Sequence, residues 1–118
     1  IVGVVDRKIS IGLPGNPVSA LMIFNVFVAP AITKLSGINY DFAKNTTKGI
    51  LQKRIHSPVG RMQYQLVKID GDKIYPIFKD SGAIFSLSTA DGYVKVLKSV
   101  ELIDKGEELE VFLFNKLI

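Results

Sequence analysis

Hydrophobic positions divide the chain into two regimes. From Val18 to Leu35, thirteen of eighteen residues are apolar. Leu21, Phe24, Val28, Ile32 and Leu35 fall on one helical face. Met22, Ile23, Val26 and Phe27 leave little polar face opposite. Such a helix is covered on two sides, by a sheet and by another layer or subunit. Beyond residue 46 the period changes to two. Met62, Tyr64 and Leu66 alternate with Gln63 and Gln65, the pattern of a half-buried strand.

Turn residues punctuate both regimes. Arg7 to Ile11 reads as a short strand feeding the turn Gly12-Leu13-Pro14-Gly15. Asn16 is a favoured N-cap, and Pro17 suits the first helical position, where its missing N–H costs nothing. Lys34 sits in the last turn and Gly37 is a natural left-handed terminator. Tyr40 to Thr47 reads as a linker. Strands are expected at Gly49 to Ile55, around Tyr64, after the Asp70-Gly71 turn at Ile74-Tyr75, at Tyr93 to Leu97 and at Leu109 to Phe114. Lys105-Gly106 supplies the turn before the last of them. This spacing fits a small, mostly antiparallel barrel or sandwich.

Composition narrows the function classes. The 118 residues are 47% hydrophobic and 22% charged, which excludes a disordered or collagen-like chain. Cysteine is absent and His56 is the one histidine, so a histidine/cysteine zinc site has no ligand set. No metal site and no catalytic residue is assigned. The net charge of +4 is too small to argue for nucleic acid by itself. Three basic and two acidic residues precede Lys44, and twelve basic and nine acidic follow from there. A membrane span rivals the soluble-helix reading of 18–35, but Asn25, Pro30 and the abrupt caps favour a soluble helix and no membrane partner. Ile1 in place of Met, with a helix that needs more cover than residues 1–37 supply, points to a piece of a longer chain.

The strongest chemical feature is the corner from Gly12 to Ala20. Amides at a helix start, here Val18 and Ser19, point outward with partial positive charge and accept phosphate or another oxyanion. Gly15 permits close backbone approach and the Ser19 hydroxyl adds a donor. Asn16 can cap the helix or face a ligand, not both fully. The same residues also describe nothing more than a well-capped helix, and both readings stay open on the residues alone. Weaker candidates are Asp80 to Ala83 with Ser86 to Thr89 as an anion loop or plain turn, and Glu107, Glu108 and Glu110 as a solvated face. Lys53, Arg54 and Arg61 with Tyr64 form a candidate basic-aromatic nucleic-acid surface, which the alternating acids oppose. His56, beside Ser57-Pro58, reads as a loop histidine.

Leu13 to Ala20 match the Leu-Pro-Gly-Asn-Pro-Val-Ser-Ala motif of the molybdopterin molybdenumtransferases, the family of bacterial MoeA and the gephyrin E domain. The apolar helix ending at Leu35-Ser36-Gly37 continues the resemblance. More loosely, so do Gly60 to Tyr64, Ser81-Gly82, Ser86 to Tyr93 (with Asp91 where asparagine is common) and Lys105-Gly106-Glu107.

The resemblance implies an α+β fragment. Residues 1–40 would be the last strand and helix of a doubly wound, molybdopterin-binding α/β domain. Residues 46–118 would be the small C-terminal β-barrel or sandwich, domain IV. It implies a cytoplasmic, homodimeric enzyme of molybdenum-cofactor synthesis that inserts molybdate into adenylylated molybdopterin with Mg2+ and releases AMP. Gly15, Asn16, Pro17 and Ser19 would then bind molybdate or the pterin phosphate. The family's Thr-Gly-Asp/Glu and Thr-Gly-Gly motifs and its catalytic acid have no counterpart in these residues, so the chain alone is expected to be inactive. The alternative is a non-catalytic β-domain that serves as a protein interaction module.

Overall fold

A computed structural model describes residues 1–41, 44–78 and 88–114. The chain divides into two units, residues 1–42 and 43–118.

The first unit opens with a hairpin of β1 (Val2–Val5) and β2 (Lys8–Ile11), antiparallel with Val5 opposite Lys8. Only one strand was expected here. The turn is Asp6-Arg7, with φ of 49° and 62°. Positive φ at both central positions is the type I′ geometry, whose twist matches that of the strands. Asparagine or glycine would have announced it, and neither is present. Nearly every residue of the hairpin is exposed.

The helix then runs from Pro17 to Leu35 in three parts: α1 (Pro17–Ile23), a π-helical segment (Phe24–Val28) and α2 (Ala29–Leu35). The π segment was not foreseen. Pro30 lacks an N–H, and its ring crowds the carbonyl one turn back, so the preceding turn widens. The Ala29 N–H accordingly donates to the Phe24 carbonyl, five residues earlier. Side chains take up carbonyls of this helix. Asn25 Nδ2 donates to Leu21 O at 2.9 Å and Thr33 Oγ1 to Ala29 O at 2.8 Å.

The helix ends as expected at Gly37, with φ of 74°. Ile38 N donates to Thr33 O and Gly37 N to Lys34 O, both at 3.2 Å, the two bonds of a Schellman motif. Within the helix only Val18 and Met22 are buried. Phe27, Ile32 and Leu35 are exposed. By length and composition this helix could cross a membrane.

The second unit is a closed barrel of β3 (Thr46–Leu51), β5 (Gln63–Asp70), β6 (Lys73–Pro76), β7 (Gly92–Val96) and β9 (Glu108–Leu113). Their order around the barrel is β3-β6-β5-β7-β9. A two-stranded sheet of β4 (Ile55–His56) and β8 (Leu102–Ile103) stands beside it in the topology. The first strand begins at Thr46, inside the expected linker. All barrel pairings are antiparallel except β3 with β6, which run parallel with Leu51 opposite Ile74. That one parallel contact closes the sheet, so the barrel is mixed.

Turn chemistry follows the sequence. Asp70 and Lys73 flank the β5–β6 turn, and Gly71 sits first within it at φ 61°, the place a type II′ turn reserves for glycine.

Leu51, Ile55, Val67, Ile74, Val94, Val96, Ile103 and Val111 form the core, with Ile69, Val100, Leu109 and Leu113 packed against it. This corrects the reading of β5. Val67 and Ile69 face the interior, and Gln65, opposite Val94, shares their face. Tyr64 and Leu66 lie on the outer face. Gln65 is buried without penalty because its Nε2 donates to Ile77 O at 2.7 Å and Leu66 O at 3.1 Å. Two glycines make closure possible. A Cβ on Gly92 would run into the Phe112 carbonyl, and one on Gly49 would lie 2.7 Å from Ile74 Cγ1.

Candidate functional site

The corner between β2 and α1 carries all four candidate residues on one turn. Gly15, Asn16 and Pro17 are exposed and Ser19 is half-buried. Asn16 has extended backbone angles, φ −72° and ψ 124°, as an N-cap requires. Its Oδ1 accepts from Val18 N at 3.0 Å and Ser19 N at 3.2 Å. The two amides expected to face an oxyanion are therefore engaged by the cap. A side-chain oxygen one residue from the helix reaches them at no chain-ordering cost, so it wins them in the absence of a ligand.

The donors that remain are different ones. With Oδ1 committed to the helix, the Asn16 side-chain amide keeps its Nδ2 hydrogens, and Ser19 keeps its hydroxyl. A Cβ built on Gly15 meets no atom within 4 Å, so the backbone there borders open space. The arrangement offers two neutral donors beside the positive end of a helix, which suits binding an anion. It contains no proton-transfer group.

The weaker candidates resolve in different ways. Arg54 Nε binds Asp104 Oδ1 at 2.7 Å across two exposed side chains. Lys53 Nζ lies 5.2 Å from the centre of the Phe78 ring. Those two cations thus have intramolecular partners, and Arg61 is exposed. His56 lies in β4 opposite Leu102, exposed, and not in a loop. A Glu107 carboxylate oxygen accepts from the Asp104 N–H, so this residue caps a turn. Glu108 and Glu110 are exposed on β9, the latter opposite Lys48. Residues 80–83, with Ser86 and Leu87, lie outside the described residues. Among those described, no group of three His, Asp or Glu comes together to hold a metal ion.

Two features escaped the sequence reading. One is an aromatic strip on the outer barrel face. Tyr93 stacks on Phe112 at 5.4 Å, meets Tyr64 edge-on at 5.6 Å and tilts against Phe114 at 5.7 Å. Lys95 Nζ covers Phe112 at 4.4 Å. Burial pushes the phenols of Tyr64 and Tyr93 above their ordinary range, and for Tyr93 the neighbouring Tyr64 adds to it. The other is Asp91, whose Oδ2 accepts from Ile69 N at 2.8 Å. Its own N–H reaches Val67 O and its carbonyl accepts from Phe114 N, so it ties the β5 backbone to the chain ends flanking β7 and β9. Only strand register brings these residues together, and no spacing in the sequence reports it.

A capped apolar helix leading into a closed, mixed five-stranded barrel defines an α+β module, of which the barrel is the larger part. Its family is the MoeA C-terminal region (domain IV), whose sequence profile matches residues 48–114. The chain belongs to this family and so to the molybdopterin molybdenumtransferases, of which it matches a C-terminal portion.

Relatives agree along nearly its whole length. It is 29% identical over 114 residues to a protein of Methanocaldococcus jannaschii named for molybdopterin biosynthesis, covering 96% of this chain and 26% of that protein. It is 29% identical over 103 residues to molybdopterin molybdenumtransferase 2 of Mycobacterium tuberculosis, covering 85% and 25%. The crystal structure of a molybdopterin biosynthesis MoeA protein from Pyrococcus horikosii superposes with a TM-score of 0.84 at 38% identity, over 95% of this chain and 28% of that one. A molybdenum cofactor biosynthesis protein from Pyrococcus furiosus superposes at 0.74 with 30% identity, over 85% and 36%. The chain thus spans about a quarter of the length of the curated relatives it matches.

Proposed function

We propose that this chain is the C-terminal portion of an enzyme of molybdenum-cofactor synthesis that inserts molybdate into adenylylated molybdopterin and releases AMP. The observation that carries the reading is the similarity over 85% of the chain to a relative named molybdopterin molybdenumtransferase, and over 96% to one named for molybdopterin biosynthesis, with Leu13 to Pro17 exposed at a helix start. In this reading residues 1–40 complete the molybdopterin-binding α/β domain and residues 46–118 are domain IV.

Gly15, Asn16, Pro17 and Ser19 hold molybdate or the pterin phosphate at the rim of the site. Gly15 and Pro17 shape the turn, while Asn16 Nδ2 and Ser19 Oγ donate to the oxyanion. Their contribution is positioning and electrostatic stabilisation near the helix N-terminus. The residues that move protons lie elsewhere in the whole enzyme. Mg2+ belongs to the whole enzyme's chemistry by family resemblance, and no ligand for it is assigned on this chain. A cytoplasmic homodimer of the whole protein completes the proposal.

The test is AMP release by the full-length protein given molybdate and adenylylated molybdopterin. Asn16→Ala and Ser19→Ala are each expected to lower the rate by about tenfold or more, the scale of one lost charge-assisted hydrogen bond. Full activity in both variants would remove the oxyanion role from this turn.

A further inference from the structure

We draw no further inference here: the strongest candidate, the aromatic strip of Tyr64, Tyr93, Phe112 and Phe114 with Lys95 on the outer face of the barrel, is an apolar face whose rings already pack against one another, and nothing in the structure shows what covers the rest of it.

Discussion

Gly92 leaves no room for a side chain in the barrel. A side chain there would be directed at the Phe112 carbonyl of the paired strand β9. An alanine there must push backbone aside, because the obstructing atom is not the free end of a side chain. Gly92→Ala is expected to destabilise the barrel by about 1–3 kcal/mol, the usual range for overpacking. Gly3→Ala, where an added Cβ meets no atom within 4 Å, is the matched control and is expected to change stability by under about 0.5 kcal/mol. Urea denaturation of the two variants measures the contrast.

The observed cap at Asn16 and its proposed anion contact differ in chemistry. An aspartate keeps the oxygen that accepts from Val18 and Ser19 and adds a charge favourable to the helix dipole. It loses the Nδ2 donor and repels an anion. Asn16→Asp is therefore expected to preserve or raise thermal stability while weakening binding of the adenylylated substrate in the full-length protein. Asn16→Ala is expected to cost about 0.5–2 kcal/mol of stability as well. Equal substrate affinity in the wild type and the aspartate variant, read by calorimetry, would leave only the capping role.

At the level of elements, the outer aromatic strip gives β5, β7 and β9 a second apolar layer. This explains why Leu66 and Tyr93 are buried although they face away from the core. It also couples stability to alkaline pH. Burial raises the phenol pKa of Tyr64 and Tyr93 in the folded barrel above the unfolded value of about 10. The neutral phenol is thus favoured by folding. The contribution is complete below the unfolded pKa and is lost as pH rises through the folded one. Unfolding followed between pH 8 and 12 is expected to show stability falling above about pH 10, and a flatter profile in Tyr93→Phe. An unchanged slope in that variant would place the alkaline loss elsewhere.

The helix shows the same lesson in another form. Its start and end were legible because Asn16, Pro17 and Gly37 act on backbone groups within a few residues. The π segment was not, because Pro30 alone does not say whether a helix will stop, kink or widen. The Asn25 and Thr33 side chains, which take up the Leu21 and Ala29 carbonyls, accompany a helix that widens.

For the whole molecule, burial is divided unevenly. Among the described residues, the contiguous apolar core lies in the second unit, from Leu51 to Val111. The first unit keeps Val18 and Met22 buried and leaves Val2, Val4, Phe27 and Leu35 exposed. A closed barrel pairs every strand on both sides, so it depends on no outside edge. Residues 43–118 produced alone are expected to unfold in one cooperative transition, and residues 1–42 alone to show none. Calorimetry of the two segments checks this, and a non-cooperative barrel segment would contradict it.

The sequence by itself determined the features whose cause is local. These are the capped corner at Gly15-Asn16-Pro17, the terminator at Gly37, the turns at Gly71 and Gly106, the helix-to-strand change of period, and the family motif from Leu13 to Ala20. Each rests on groups a few residues apart, so spacing alone reports them. Tertiary structure decided the rest. It paired β3 parallel to β6, turned Val67 rather than Leu66 inward, and required hydrogen alone at Gly92. It also assembled four aromatic side chains from three strands and the residue beyond them. Barrel closure sets all of these at once, because strand register assigns each side chain its face and neighbours across tens of residues of chain.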